Sequence, residues 1–245
     1  MSDDVLVAVF SADDGGMDAE LWTRLRSWLQ PEEARRADSY KDMEARAAFM
    51  IGRGMARTML AEVSGIAPAD WRFSEGAHGR PEIASPDTPF RFNLAHSHGM
   101  IACAVAKHRD VGVDVEFLDR PDSSHDVAKR VCSEDELADI EAAPEAGRKE
   151  RFLVYWTLKE AYLKARGLGI SVHLADVAFT VNGGEPKFVP GGSLADADTR
   201  WMFRLAQPGP RHLISVAVDT SGDAADAAGP NIRFQRFGAN RFPAA

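Results

Sequence analysis

The sequence predicts an α+β protein made of two similar-sized lobes that meet near residue 110. Three observations carry this. Short runs of apolar residues recur along the chain, bounded by Gly, Pro or Asp turns, as strands are. Between them lie segments whose apolar residues repeat at helical spacing. Each half of the chain holds both kinds, and 245 residues with 45% hydrophobic content suffice for one large domain or two small ones.

"VLVAVF" at residues 5–10 opens the chain as a buried strand. Leu21, Trp22, Leu25, Trp28 and Leu29 follow at helical spacing, and Pro31 begins the next helix. "DMEARAAFMIGRGMARTMLAEVSG" is a long helix ended by Ser64 and Gly65. Arg46, Arg53 and Arg57 fall on it at i, i+7 and i+11, so they share one face. "WRFSEGAHGRPEIA" and "FRFNLAHSHG" read as strands around polar turns. Residues 101–106 and 111–117 read as a hairpin turning at 107–110. Ser133 and Glu136 make a capping-box pattern, and an apolar helix, "FLVYWTLKEAYLKARGLG", comes next. "HLADVAFTV", "PKFVPG", "RWMFRLAQPG" and "RHLISVAVDT" complete the strands. "SGDAADAAGPN", near 220–231, reads as a flexible linker, and residues 232–237 as a last edge strand or a tail. The expected lobes are 1–108 and 109–245.

The net charge of −8 argues against nucleic acid as a partner, since phosphate binding needs clustered positive charge. No apolar run reaches the ~18 residues of a membrane span, and the N-terminus lacks the basic start of a signal peptide. Cys103 and Cys132 are too few for a disulfide framework, so a cytoplasmic protein with reduced cysteines is expected.

Chemistry concentrates in a few places. Asp114 and Glu116 lie at i and i+2 on a strand, so both carboxylates project the same way. The pair reads equally as a solvent-facing strand edge or as the oxygen ligands of a hard divalent cation such as Mg²⁺. Glu160 and Lys164, spaced i and i+4 with Thr157 on the same side, read equally as a salt bridge or as a polar strip bordering a cleft. His96 and His98 could suggest zinc, but no other His or Cys closes a tetrahedral site; His96 suits a phosphate or ribose contact. The arginine face is either a solvated helix side or, with Arg80 on its Gly-Pro turn, a phosphate-binding set.

Taken in order, "GRP" at 79–81, "NLAHS" at 93–97, "GVDVE" at 112–116 and "WTLKEAYLK" at 156–164 resemble the signature of the 4′-phosphopantetheinyl transferases, of the larger two-lobed kind that activates surfactin synthetase. The resemblance spans roughly residues 46–170. It departs at Ala95, where the family usually has serine; the missing hydroxyl corresponds to about 1 kcal/mol of binding.

The resemblance implies two pseudo-twofold-related lobes with the active site in the cleft between them. It implies transfer of the 4′-phosphopantetheine arm of coenzyme A to a serine of an apo acyl- or peptidyl-carrier protein, releasing adenosine 3′,5′-bisphosphate. Asp114, Glu116 and Glu160 match positions that hold Mg²⁺, for which Mn²⁺ can substitute. Lys164 matches a pyrophosphate contact. Arg46, Arg53, Arg80, Asn93 and His96 match the nucleotide side in the first lobe. Glu160, directly or through a metal-bound water, is expected to take the serine proton, and the carrier to dock on the second lobe after Gly167. A monomer is the expected state. The alternatives are a metal-dependent phosphohydrolase using the same acids, and a degenerate module that binds coenzyme A or a carrier without catalysis.

Overall fold

A computed structural model describes residues 4–15, 17–76, 79–120, 125–169, 172–194, 200–224 and 228–243. In chain order the elements are β1 (Val5–Ser11), α1 (Ala19–Trp28), α2 (Pro31–Ser39), α3 (Met43–Ser64), β2 (Arg72–Glu75), β3 (Pro81–Ser85), β4 (Phe90–Ser97) and β5 (Met100–Lys107). They continue with β6 (Val111–Phe117), α4 (His125–Val131), α5 (Glu134–Ala142), α6 (Glu145–Arg166), β7 (Phe179–Asn182), β8 (Glu185–Phe188), β9 (Trp201–Gly209), β10 (His212–Asp219) and β11 (Ile232–Arg236). This is an α+β fold. It divides into two compact units, residues 1–109 with 230–245, and residues 110–229.

The first unit has a four-stranded sheet in the order β11-β1-β5-β4, beside a β2-β3 hairpin. β1 pairs antiparallel with β5 and parallel with β11. α3 starts where the Asp42 carboxylate accepts the Glu44 and Ala45 N–H groups, and it stops at Gly65 in the left-handed region (φ 78°). Its buried Met55, Met59 and Leu60 share a core with Trp71, Phe92 and Val105.

The second unit has a three-stranded sheet, β6-β10-β9, and a β7-β8 hairpin. α6 runs 22 residues from Pro144 to a left-handed Gly167 (φ 64°). Leu153, Leu158 and Tyr162 fill its core side, with the Tyr162 ring tilted against Phe188 at 4.6 Å and Phe179 edge-on to Phe203 at 4.8 Å. Among the described residues no helix is long and apolar enough to cross a membrane.

Three expectations need correction. β5 and β6 are not a hairpin: β5 lies between β1 and β4, β6 pairs with β10, and the unit boundary falls between them. Residues 230–245 belong to the first unit, because β11 extends its sheet along β1 and Phe237 is buried in that core. In "HLADVAFTV" the first residues form a short 3-10 turn at Leu174–Asp176, with the strand starting at Phe179. The expected flexible stretch at 220–231 falls in part, at 225–227, outside the described residues.

Candidate active site

β6 presents Gly112, Asp114 and Glu116 on one face, and that face meets α6. A Cβ added at Gly112 would overlap the Ala161 carbonyl oxygen and lie 2.6 Å from the Ala165 nitrogen. The helix backbone therefore rests directly on the strand, and the only side chain that fits between them is none at all. Ser215 of β10, opposite Asp114, adds a second tie by donating to the Thr157 carbonyl at 2.6 Å. This close approach carries Lys164 to Asp114: its ammonium donates to Asp114 Oδ1 at 2.5 Å. Gly112→Ala is expected to cost about 1–3 kcal/mol, the scale of overpacking. Because Glu160 and Lys164 flank the contact point, activity should fall more than the melting temperature alone explains; circular-dichroism melts beside an activity assay check this.

Asp114 is 5% exposed and Glu116 9%, so the solvent-facing strand edge is excluded. Arg120 Nη1 donates to Glu116 Oε1 at 2.7 Å. Burial pushes the Asp114 carboxyl up, Glu116 adds to this, and Lys164 only partly offsets it. Glu160 is raised in the same way, by burial and then by Asp114 against the opposing pull of Lys164. Burial works against the Lys164 ammonium, but Asp114, Glu160 and Glu116 together lift it above its ordinary value. Asp114, Glu160 and Lys164 thus all hold a proton more tightly than usual, the two acids chiefly through burial and the lysine through the carboxylates around it.

Among the described residues no group of three or more His, Cys, Asp or Glu side chains is arranged to hold a metal ion. The donor chemistry nonetheless fits a hard divalent cation. Asp114, Glu116 and Glu160 carry the carboxylate oxygens that such an ion would take, and Asp114 Oδ2 is buried with no hydrogen-bond partner among the described residues. In this arrangement the cations on Asp114 and Glu116 are the chain's own, Lys164 and Arg120.

Thr157 does not join the polar strip. It is fully buried and donates to the Leu153 carbonyl of its own helix. Lys159, its neighbour in the motif, is also fully buried. Its ammonium donates to Glu136 Oε2 at 2.7 Å and to the Leu174 and Val177 carbonyls at 3.0 and 2.6 Å. Glu136 in turn accepts the Ser133 and Phe179 N–H groups, each at 2.8 Å. The capping box was legible in the sequence; the ion pair built on it was not.

The remaining candidates all lie in the first unit. Arg46 is partly exposed and donates to Asp38 at 2.9 Å. Arg53 and Arg57 are not on a solvated face. Both are buried around Glu33, Arg57 at 2.6 Å and Arg53 at 3.3 Å, and the Arg57 guanidinium lies 4.4 Å over the Phe73 ring. Burial pulls Arg53 down to about 10 against the opposing Glu33 charge. The Arg80 carbonyl, just before β3, accepts the Gly76 N–H at 2.8 Å. Asn93 is buried on β4; Ala95, two residues on, is buried on the same face. His96 is exposed and lines a 230 Å³ cleft with Asp42, Glu44 and His98.

The family model described as "4′-phosphopantetheinyl transferase superfamily" matches residues 110–216, and "4′-phosphopantetheinyl transferase, N-terminal" matches 17–109. A phosphopantetheinyl transferase of Thraustochytrium sp. is 34% identical over 227 residues, covering 87% of this chain and 78% of that one. The chain belongs to the 4′-phosphopantetheinyl transferase family. It is an enzyme of that class, a transferase. A 4′-phosphopantetheinyl transferase of Bacillus subtilis is 31% identical over 80% of this chain and 90% of its own, and the transferase HetI of Nostoc sp. 32% identical over 66% and 69%. The two family models meet at 109/110, where the two compact units also divide. The holo-[acyl-carrier-protein] synthase of Neisseria meningitidis is a partial structural likeness, 20% identical over 44% of this chain and 95% of its own, with a TM-score of 0.39.

Proposed function

We propose that this phosphopantetheinyl transferase uses coenzyme A as donor and a serine of an apo acyl- or peptidyl-carrier protein as acceptor, with Asp114, Glu116 and Glu160 holding Mg²⁺. The observation that carries the reading is the burial of Asp114 and Glu116 on β6 beside Lys164 of α6, which bonds Asp114 and feels the charges of Glu116 and Glu160, with one Asp114 oxygen left without a partner. A divalent cation there neutralises charge on a pyrophosphate, which is the chemistry the transfer needs.

The chain's own residues divide the remaining work. Lys164 turns from Asp114 to a pyrophosphate oxygen and stabilises the charge that grows as the bridging P–O bond breaks. Glu160, directly or through a bound water, takes the proton of the carrier serine as its oxygen bonds to phosphorus. Adenosine 3′,5′-bisphosphate leaves with the bridging oxygen, so atoms and charge balance. Arg46, Arg80, Asn93 and His96 contact the nucleotide; Arg53, the other candidate, is itself buried on α3. A cytoplasmic location and action as a monomer go with this reading.

The test incubates the protein with coenzyme A, Mg²⁺ and a panel of apo-carriers, and reads carrier mass. A gain of one phosphopantetheine arm supports the proposal. Coenzyme cleavage with no carrier modification points to a phosphohydrolase, and binding with neither points to a non-catalytic module.

A further inference from the structure

The turn after β6 closes with the Arg120 N–H on the Phe117 carbonyl at 3.2 Å, and it returns the guanidinium to Glu116. The turn does not depend on that side chain. Leu118 N–H donates to the Arg211 carbonyl at 2.8 Å, the Arg211 guanidinium pairs with Asp119 at 2.8 Å, and it lies 4.5 Å over the Phe117 ring. Arg120 can therefore be replaced without removing what shapes the loop.

Glu116 is nearly buried, and a buried carboxylate needs a cation. Lys164 donates to Asp114, and the ion pair at Glu116 is the one made by Arg120. A divalent ion ligated by Glu116 has to take that oxygen from the guanidinium. Arg120 then needs another anion, and a guanidinium fits phosphate oxygens well.

We propose that Arg120 is a positioning residue: the resident counter-ion of Glu116, it disfavours a divalent cation in the ligand-free protein and couples cation binding to arrival of a pyrophosphate-bearing ligand. This rests on the metal-site reading above. Coupling of this kind is reciprocal, so the ligand also binds better once the cation is present.

Mn²⁺ binding to the full chain, followed by the electron paramagnetic resonance of free Mn²⁺, tests it with and without coenzyme A and no carrier. Arg120→Gln and Arg120→Ala should each bind Mn²⁺ alone about three- to tenfold more tightly than wild type, the scale of losing a part-buried ion pair. Coenzyme A should then improve Mn²⁺ affinity less in these variants, and Arg120→Lys should behave like wild type. Equal or weaker Mn²⁺ affinity in the two neutral variants overturns the inference and leaves the metal site standing. No Mn²⁺ binding by any form, even with coenzyme A, overturns both.

Discussion

Replacing Asp114 by asparagine is expected to cut carrier loading by about 100-fold or more, the scale on which a single electrostatic group in a reacting site acts. It should leave the melting temperature at neutral pH unchanged or higher. The first effect follows from the loss of a charged oxygen ligand and of the anion that orients Lys164. The second follows from the direction of the Asp114 shift. Its folded-state affinity for a proton is raised, chiefly by burial, so the native protein binds that proton more tightly than the unfolded chain does. The stability this supplies is fully present below the ordinary carboxylate value of about 4 and is lost as pH rises through the raised one. Asparagine does not titrate, so the gap in melting temperature between variant and wild type, both metal-free, should move in the variant's favour from pH 4 to pH 7.5. Thermal melts across that range and a loading assay at its upper end check both halves. Activity within a few-fold of wild type would remove Asp114 from the site, and a clear drop in melting temperature at neutral pH would make its pairing with Lys164 structural.

The two effects are expected to part company because burial makes the Asp114 charge costly to the fold. The placement of these charged residues on their elements was legible in the sequence. A period of two on β6 put Asp114 and Glu116 on one face, and a spacing of four on α6 did the same for Glu160 and Lys164. Local spacing also revealed most strands, but not their partners. β5 and β6 are apolar neighbours three residues apart, which looks like a hairpin, yet each finds its hydrogen bonds elsewhere. β11 pairs with β1 across more than two hundred residues, and nothing in "IRFQR" announces this. The arginine face failed for a related reason. Arg53 and Arg57 look solvated until Glu33, from another helix, and the Phe73 ring cover them. Glu116 and Arg120 are i and i+4, but the turn that joins them is not helical, so the helical rule did not flag the pair.

Lys159→Met is expected to lower the unfolding free energy by about 3–5 kcal/mol, the cost of stranding one member of a buried ion pair. The ammonium serves three acceptors drawn from α5, the 174–176 turn and the segment entering β7, so its removal leaves the Glu136 carboxylate and two carbonyls without their donor. Glu136→Gln should be costly too. Its Oε2 faces two donors, the Ser133 N–H and the Lys159 ammonium, and an amide NH₂ there would set donor against donor. The double variant should then be less unstable than the two losses added, by about 0.5–3 kcal/mol, since neither charge is left alone. Urea unfolding of all four forms measures this cycle. Arg35→Ala, which breaks an exposed pair with Glu32, is the control and should stay within about 0.5 kcal/mol. Loading activity separates the two roles open to a lysine next to Glu160. Lys159 is fully buried on contacts with its own unit, so Lys159→Met held well below its melting point should keep a loading rate within a few-fold of wild type. If stability were untouched and loading abolished, Lys159 would belong with Glu160 and Lys164 in the reaction, and the buried pair would be incidental.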